Sequence, residues 1–148
     1  MEPDLSDKLA EWTAWLPFAE AVANAPRLPG VYMARDDIQV VYVGMAAERR
    51  GQGIRGRLTV YSRGRAAVSG LGEAAMDRAL ADPDWLRARL ARVEDGTVWR
   101  TRDWATAALD RAQLRVRWAT TETGLQARQL ERTVLAAMSS VELWNRAR

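Results

Sequence analysis

Pro29-Gly30-Val31-Tyr32-Met33-Ala34-Arg35-Asp36-Asp37-Ile38-Gln39-Val40-Val41-Tyr42-Val43-Gly44 is the stretch that decides the fold. Two apolar runs, each holding one tyrosine and one glycine, flank a polar gap at Arg35-Asp36-Asp37, and that gap is a turn signal. The pattern predicts strands over 30–35 and 39–44, paired antiparallel. Pairing about Asp37 sets Tyr32 opposite Tyr42 on one side of the sheet, two phenol hydroxyls beside glycines that admit a close backbone or ligand. Just downstream, six arginines fall between Arg49 and Arg65, with one acid at the edge, Glu48. Phenols beside an arginine cluster point to a site that handles phosphate.

Outward from this hairpin, helical spacing dominates. Leu5, Leu9, Trp12, Leu16, Ala19 and Ala23 predict an amphipathic N-terminal helix over 5–24, capped by Asp4 or Ser6 and ended by Pro26 and Pro29. Residues 45–53 read as a loop, and Ile54 to Arg63 as a helix carrying arginines. After a break at Ser69-Gly70, a short helix runs to Leu80. Asp82-Pro83 opens another, with Leu86, Leu90 and Val93 expected inward. Thr101 is expected to cap a helix through Ala112. Leu114-Arg115-Val116-Arg117-Trp118 alternates strictly and predicts a half-buried strand. Thr123 and Gln126 form a capping-box pattern before a last helix ending near Met138. The expected architecture is a single α/β (α+β) domain over 1–148, with a small, mostly antiparallel three-stranded sheet flanked by helices and a helical insertion at about 66–112.

Composition narrows the chemistry. The 148 residues contain no cysteine and no histidine. That excludes thiol catalysis, disulfides, His-containing triads and zinc sites built on His or Cys. Tyr, Arg, Asp, Glu, Ser and Thr remain. Net charge is only +3, so the local arginine cluster matters more than the total. Lys8 is the sole lysine, and arginine suits planar, bidentate phosphate contacts. A general bias toward arginine codons explains the scarcity of lysine equally well, but not the cluster. The acidic start Met1-Glu2-Pro3-Asp4 is unlike a secretory signal and no run spans a bilayer, so a cytoplasmic protein without membrane contact is expected.

Glu131 breaks the pattern of the last helix. It lies four residues after Ala127 and four before Leu135, on a stripe that is otherwise apolar. A carboxylate there either swings to the helix edge toward Arg128 or serves a cation. The other features also have structural readings. Paired tyrosines stabilise hairpins, arginine runs form solvated helix faces, and Trp12 and Trp15 anchor cores or interfaces.

Taken together, these residues resemble the GIY-YIG endonuclease family. Gly30-Val31-Tyr32 and Tyr42-Val43-Gly44 stand where that family has its two triplets. The stretch from Gly53 to Tyr61 is similar to its arginine-bearing helix, with Arg57 at the catalytic position and Tyr61 one turn later. Gln129-Leu130-Glu131-Arg132 resembles the segment with the metal-binding glutamate, and Trp144-Asn145 the terminal aromatic-asparagine step. The likeness covers about 28–65 and 114–146. The loop from Gly44 to Arg57 is longer than usual, Met45 replaces a common lysine or serine, and the insertion 66–112 is outside the shared core.

The resemblance implies hydrolysis of DNA phosphodiester bonds with one divalent ion, Mg²⁺ or Mn²⁺, on Glu131. It implies Tyr32 as general base with Tyr42 as its hydrogen-bonding partner, Arg57 on the scissile phosphate, Tyr61 orienting a phosphate oxygen and Asn145 supporting the site from behind. Arg49, Arg50, Arg55, Arg63 and Arg65 would contact nucleic acid. Specificity would come from the insertion, the N-terminal helix, a second copy of the chain or a partner protein. The competing readings are a non-catalytic nucleic-acid-binding module on the same scaffold and a protein-interaction domain using its tryptophan-bearing helices.

Overall fold

In a computed structural model, which describes residues 4–145, the chain is an α/β protein built on one antiparallel sheet. The elements run β1 (Leu16–Pro17), α1 (Phe18–Asn24), β2 (Gly30–Arg35), β3 (Val40–Ala46), α2 (Gly53–Ser62), α3 (Gly70–Leu80), α4 (Pro83–Glu94), α5 (Thr101–Ala112), β4 (Arg115–Thr120) and α6 (Gly124–Ala137). A short 3-10 turn at Arg49–Gly51 precedes α2. Strand order is β1-β4-β2-β3, so the sheet has four strands rather than the expected three; the added one is the two-residue β1, paired with Val116 and Arg115 of β4.

The hairpin forms as its sequence predicts, with a different register. The carboxylate of Asp36 accepts from the backbone amides of Ile38 and Gln39, and the Asp36 amide donates to the Gln39 carbonyl. That centres the turn on Asp37-Ile38. An irregularity at Ala34/Arg35 then shifts the pairing, so Tyr32 lies opposite Gly44, and Ala34 opposite Tyr42. The tyrosines still share a face because a shift of two preserves side-chain alternation. They meet diagonally, with ring centroids 6.2 Å apart.

The sheet separates two apolar layers. Tyr32, Tyr42, Val116 and Trp118 face α2, α3 and α5, packing with Ile54, Leu58, Tyr61, Leu71 and Leu109. Val31, Met33 and Val43 point the other way and pack on Val134 and Met138 of α6.

This division explains why the N-terminal helix is much shorter than expected. Only Phe18–Asn24 is helical. Leu9, Trp12 and Trp15 pack against the α6 layer, whereas Leu16, Phe18 and Val22 pack against the α2 layer. One straight helix cannot bury itself on both sides of a sheet; an extended chain crossing the sheet edge can. Thr13 secures the crossing, its amide donating to the Trp118 carbonyl and its hydroxyl accepting from the Trp118 amide.

Arg117 is the anchor beneath that crossing. It is 6% exposed, and its guanidinium lies between the rings of Trp12 and Trp15 at 4.8 and 4.6 Å from their centroids. Nη1 donates to Asp7 Oδ1 at 2.8 Å and Nη2 to Ser6 Oγ at 2.9 Å.

Two further helix expectations are corrected. In α4, Leu90 and Val93 are 55% and 47% exposed, and no residue of the helix is buried. This helix packs on α3 at the outside of the insertion, where Trp85, Trp99 and Trp104 cluster edge-to-face around Arg89 instead. Thr101 lies inside α5; the start of that helix is closed by Asp103, whose carboxylate accepts from the Arg100 amide. Asp82 caps α4 and Thr123 with Gln126 caps α6 as read from the sequence. Among the described residues no helix is long and apolar enough to cross a membrane.

Arg117→Ala should cost about 2–3 kcal/mol, because it removes a buried side chain from between two tryptophans and leaves the buried Ser6 hydroxyl without that donor. Limited proteolysis should then open the segment 4–15 first. Unchanged melting and unchanged cleavage would show that the crossing holds without Arg117.

Candidate functional site

Tyr32, Tyr42, Arg57 and Tyr61 converge between the sheet and the first turns after α2. Each is positioned by a local cause. Tyr32 and Tyr42 share a sheet face through strand alternation. Arg57 and Tyr61 are one helical turn apart on the inner side of α2, with Ile54 and Leu58 burying that side. Gly44 has no side chain because the Tyr32 ring and hydroxyl occupy the space that a Cβ would take. Gly30 is held as closely, between the Ala119 carbonyl and Ile54.

The hydroxyls of Tyr32 and Tyr61 share a hydrogen bond of 3.0 Å, and the Tyr61 oxygen also accepts from the Leu71 amide at 3.2 Å. The Arg57 guanidinium sits over the Tyr61 ring, 4.8 Å from its centroid. Gly70 closes the group. A Cβ there would press on the Tyr61 hydroxyl and come within 2.9 Å of an Arg57 terminal nitrogen and 3.1 Å of the Tyr42 hydroxyl. Its φ of +52° also favours glycine. The sequence marked Ser69-Gly70 only as a helix break. The structure makes Gly70 and the Leu71 amide part of the site, and no spacing in the chain signals that.

Glu131 approaches from α6, which packs on the opposite face of the sheet. α6 lies against β2 and β3, and β3 is an edge strand of the sheet. Glu131 is half-buried and forms no salt bridge among the described residues, so the expected alternative of an ion pair with Arg128 is not what the structure has. Burial raises its carboxyl pKa, partly offset by the fields of Arg128 and Arg132. Its charge also contributes to raising the Tyr42 pKa, which ties it to the tyrosine group. Asn145 bonds both backbone groups of Val43, accepting from the amide at 3.1 Å and donating to the carbonyl at 2.7 Å. It thus braces the open edge of β3 between Tyr42 and Gly44.

Burial dominates the electrostatics of the phenols. Burial raises the pKa of both Tyr32 and Tyr42, and their neighbouring phenols raise them further; Arg57 opposes this without reversing it. Hydrogen bonding between the phenols therefore holds the protons in place rather than favouring a phenolate. Arg57 responds in the other sense. Burial presses its guanidinium pKa down, and the Tyr32 and Tyr61 oxygens more than compensate.

Among the described residues no three acidic side chains gather as a ready-made metal cage. Glu131 offers one carboxylate. A half-buried, unpaired carboxylate fits a hard cation such as Mg²⁺, which commonly takes one or two carboxylates and completes its shell with phosphate and water.

The other expected nucleic-acid contacts lie elsewhere. Arg55 donates to the carbonyls of Ala25 and Ala23, closing the end of α1, so its guanidinium is already engaged. Arg49, Arg50 and Arg63 line a cleft on another side of α2, and Arg65 is exposed. Glu48, at the edge of the arginine run, accepts from the Gly124 amide and so caps α6.

No family model matches the chain, and no match emerges among curated proteins or solved structures.

The raised phenol pKa values set an alkaline limit. An unfolded tyrosine ionises near pH 10. The folded pKa lies above that, so as pH passes about 10 the unfolded chain releases protons first and stability falls; below pH 10 the contribution is complete. Tyr42→Phe should flatten this decline in melts taken from about pH 8 to 11. Parallel declines for the variant and the wild type would contradict a buried, protonated Tyr42.

Proposed function

We propose that the chain is a GIY-YIG-type endonuclease that hydrolyses DNA phosphodiester bonds with one divalent ion, Mg²⁺ or Mn²⁺. The observation that carries this reading is the gathering of the Tyr42 and Tyr61 hydroxyls and the Arg57 guanidinium about Gly70, with Tyr32 bonded to Tyr61 and with Glu131 half-buried and in no salt bridge among the described residues.

Phosphodiester hydrolysis needs a proton acceptor for the attacking water and positive charge on the phosphate. Arg57 presents a planar fork suited to two phosphate oxygens, and partial burial strengthens that contact. Both sheet phenols are held by Tyr61, and Tyr32 is the poorer base of the two because it is only 1% exposed. The role passes to Tyr42, which is 9% exposed and feels Glu131. Tyr32 and Tyr61 then orient the group, Tyr61 being held in turn by the Leu71 amide. A divalent ion on Glu131 would supply the positive charge that favours the Tyr42 phenolate and neutralises the phosphate. Asn145 keeps the Tyr42–Gly44 backbone in place.

The second reading, a binding module without catalysis, is favoured by the burial of both sheet phenols, which raises their pKa values and disfavours a phenolate.

A panel of labelled DNA and RNA substrates with Mg²⁺ and Mn²⁺ tests the proposal. Wild type should cut DNA and stop when EDTA removes the ion. Glu131→Ala should bind DNA in EDTA as tightly as wild type and cut nothing with metal present. Arg57→Lys should lose most cleavage, because an ammonium cannot reproduce the fork. Tyr42→Phe should slow cleavage by about 10²-fold or more. Absence of cleavage on every substrate, with salt-dependent DNA binding intact, would replace the enzyme by the binding module.

A further inference from the structure

Helix α2 carries arginines on two sides, and only one side belongs to the tyrosine site. At about 100° per residue, Arg55 and Arg63 project roughly 160° and 120° away from Arg57. On that far side lies a cleft of about 680 Å³ lined by Arg27, Arg49, Arg50, Arg55 and Arg63, with no acidic residue in its lining among the described residues. Gly56 is part of its lining. A Cβ there would lie 2.6 Å from Gln52 Cβ, and the Arg49 guanidinium lies alongside, 3.5 Å from the same point.

Arg49 and Arg50 are both in the left-handed region, at φ 48° and 55°. Two consecutive non-glycine residues in that conformation are uncommon, and such strain concentrates at functional sites. Both side chains are exposed, so packing does not account for it. Arg55 is committed to the end of α1, whereas Arg27, Arg49, Arg50 and Arg63 form no salt bridge among the described residues. A concave, acid-free arginine surface calls for a polyanion, and its spread suits several phosphates of one backbone.

A straight duplex held at Arg57 cannot also enter this cleft. The two surfaces face different ways around a helix about 10–12 Å across, and duplex DNA is stiff over about 150 base pairs. We propose that the cleft holds a second duplex arm, so that the chain engages branched DNA, with one arm at the tyrosine site and another behind α2. This rests on the nuclease reading for the first arm and on the cleft alone for the second.

The test compares a linear duplex with a sequence-matched four-way junction in EDTA, by gel shift across a salt series. Wild type should prefer the junction by about tenfold or more. The triple variant R27A/R49A/R63A should bring that ratio close to one. It should also lower the salt slope on the junction by about 2.7, which is 0.9 for each of three phosphate contacts. These side chains are exposed, so the variant should melt as wild type does, and a melt by circular dichroism checks this. A ratio near one in wild type, or equal losses on both DNAs in the variant, would overturn the proposal. So would a junction preference that survives the triple substitution. Cleavage with Mg²⁺ or Mn²⁺ is read separately. Junction preference without cutting would remove the nuclease reading and keep the second arm, and cutting without junction preference would do the reverse.

Discussion

The seat of Tyr32 on Gly44 is the constraint from which the rest of the site follows. The ring fills the space over the opposite strand that any side chain would claim, which brings its hydroxyl to Tyr61 on α2. One residue thus ties β2, β3 and α2 together. A neutral buried hydrogen bond contributes only about 1 kcal/mol net, yet an unpaired buried hydroxyl costs more. The phenols and the Leu71 amide satisfy one another, and this keeps the arrangement unique rather than merely stable.

A polar cluster inside a core has chemical consequences as well as structural ones. Low dielectric strengthens the attraction between Arg57 and any phosphate that reaches it, and the same low dielectric keeps the phenols protonated. The site is therefore well prepared to bind an anion and poorly prepared to remove a proton without further positive charge. Under the nuclease proposal, Glu131 is the group that would recruit that charge. Its burial disfavours the charged form, the fields of Arg128 and Arg132 offset this only in part, and among the described residues it has no salt bridge.

The opposite sheet face solves a separate problem. The segment before α1 must cross the sheet edge, and Arg117 with its two tryptophans fixes it there. Cation–π stacking and the bonds to Asp7 and Ser6 let a charged residue occupy a strand position that points into an apolar layer. The tyrosines and Arg57 thereby sit on one face, and the clamp for the N-terminal segment lies on the other, the face that α6 and Glu131 cover.

Several elements were legible in the chain because their causes are local. Asp36-Asp37 between two β-rich runs sufficed for the hairpin, Asp82-Pro83 for the start of α4, Thr123 with Gln126 for the start of α6, and alternation for β4. The triplets with Arg57, Tyr61, Glu131 and Asn145 were legible as candidates in order, and all of them are placed among or beside the tyrosine-bearing elements. What needed the tertiary structure was everything set by partners distant in sequence. Helical spacing over 5–24 could not reveal that its apolar residues serve opposite faces of a sheet, nor that Leu90 and Val93 lie on a helix with nothing beyond it. The hairpin register depended on an irregularity at Ala34/Arg35 that composition does not mark. The division of the arginines is the clearest instance. Their run is plain in the sequence, but helix rotation and the carbonyls of α1 decide which one meets the tyrosines, which closes a helix end and which faces away, since direction in space is a property of the packed fold.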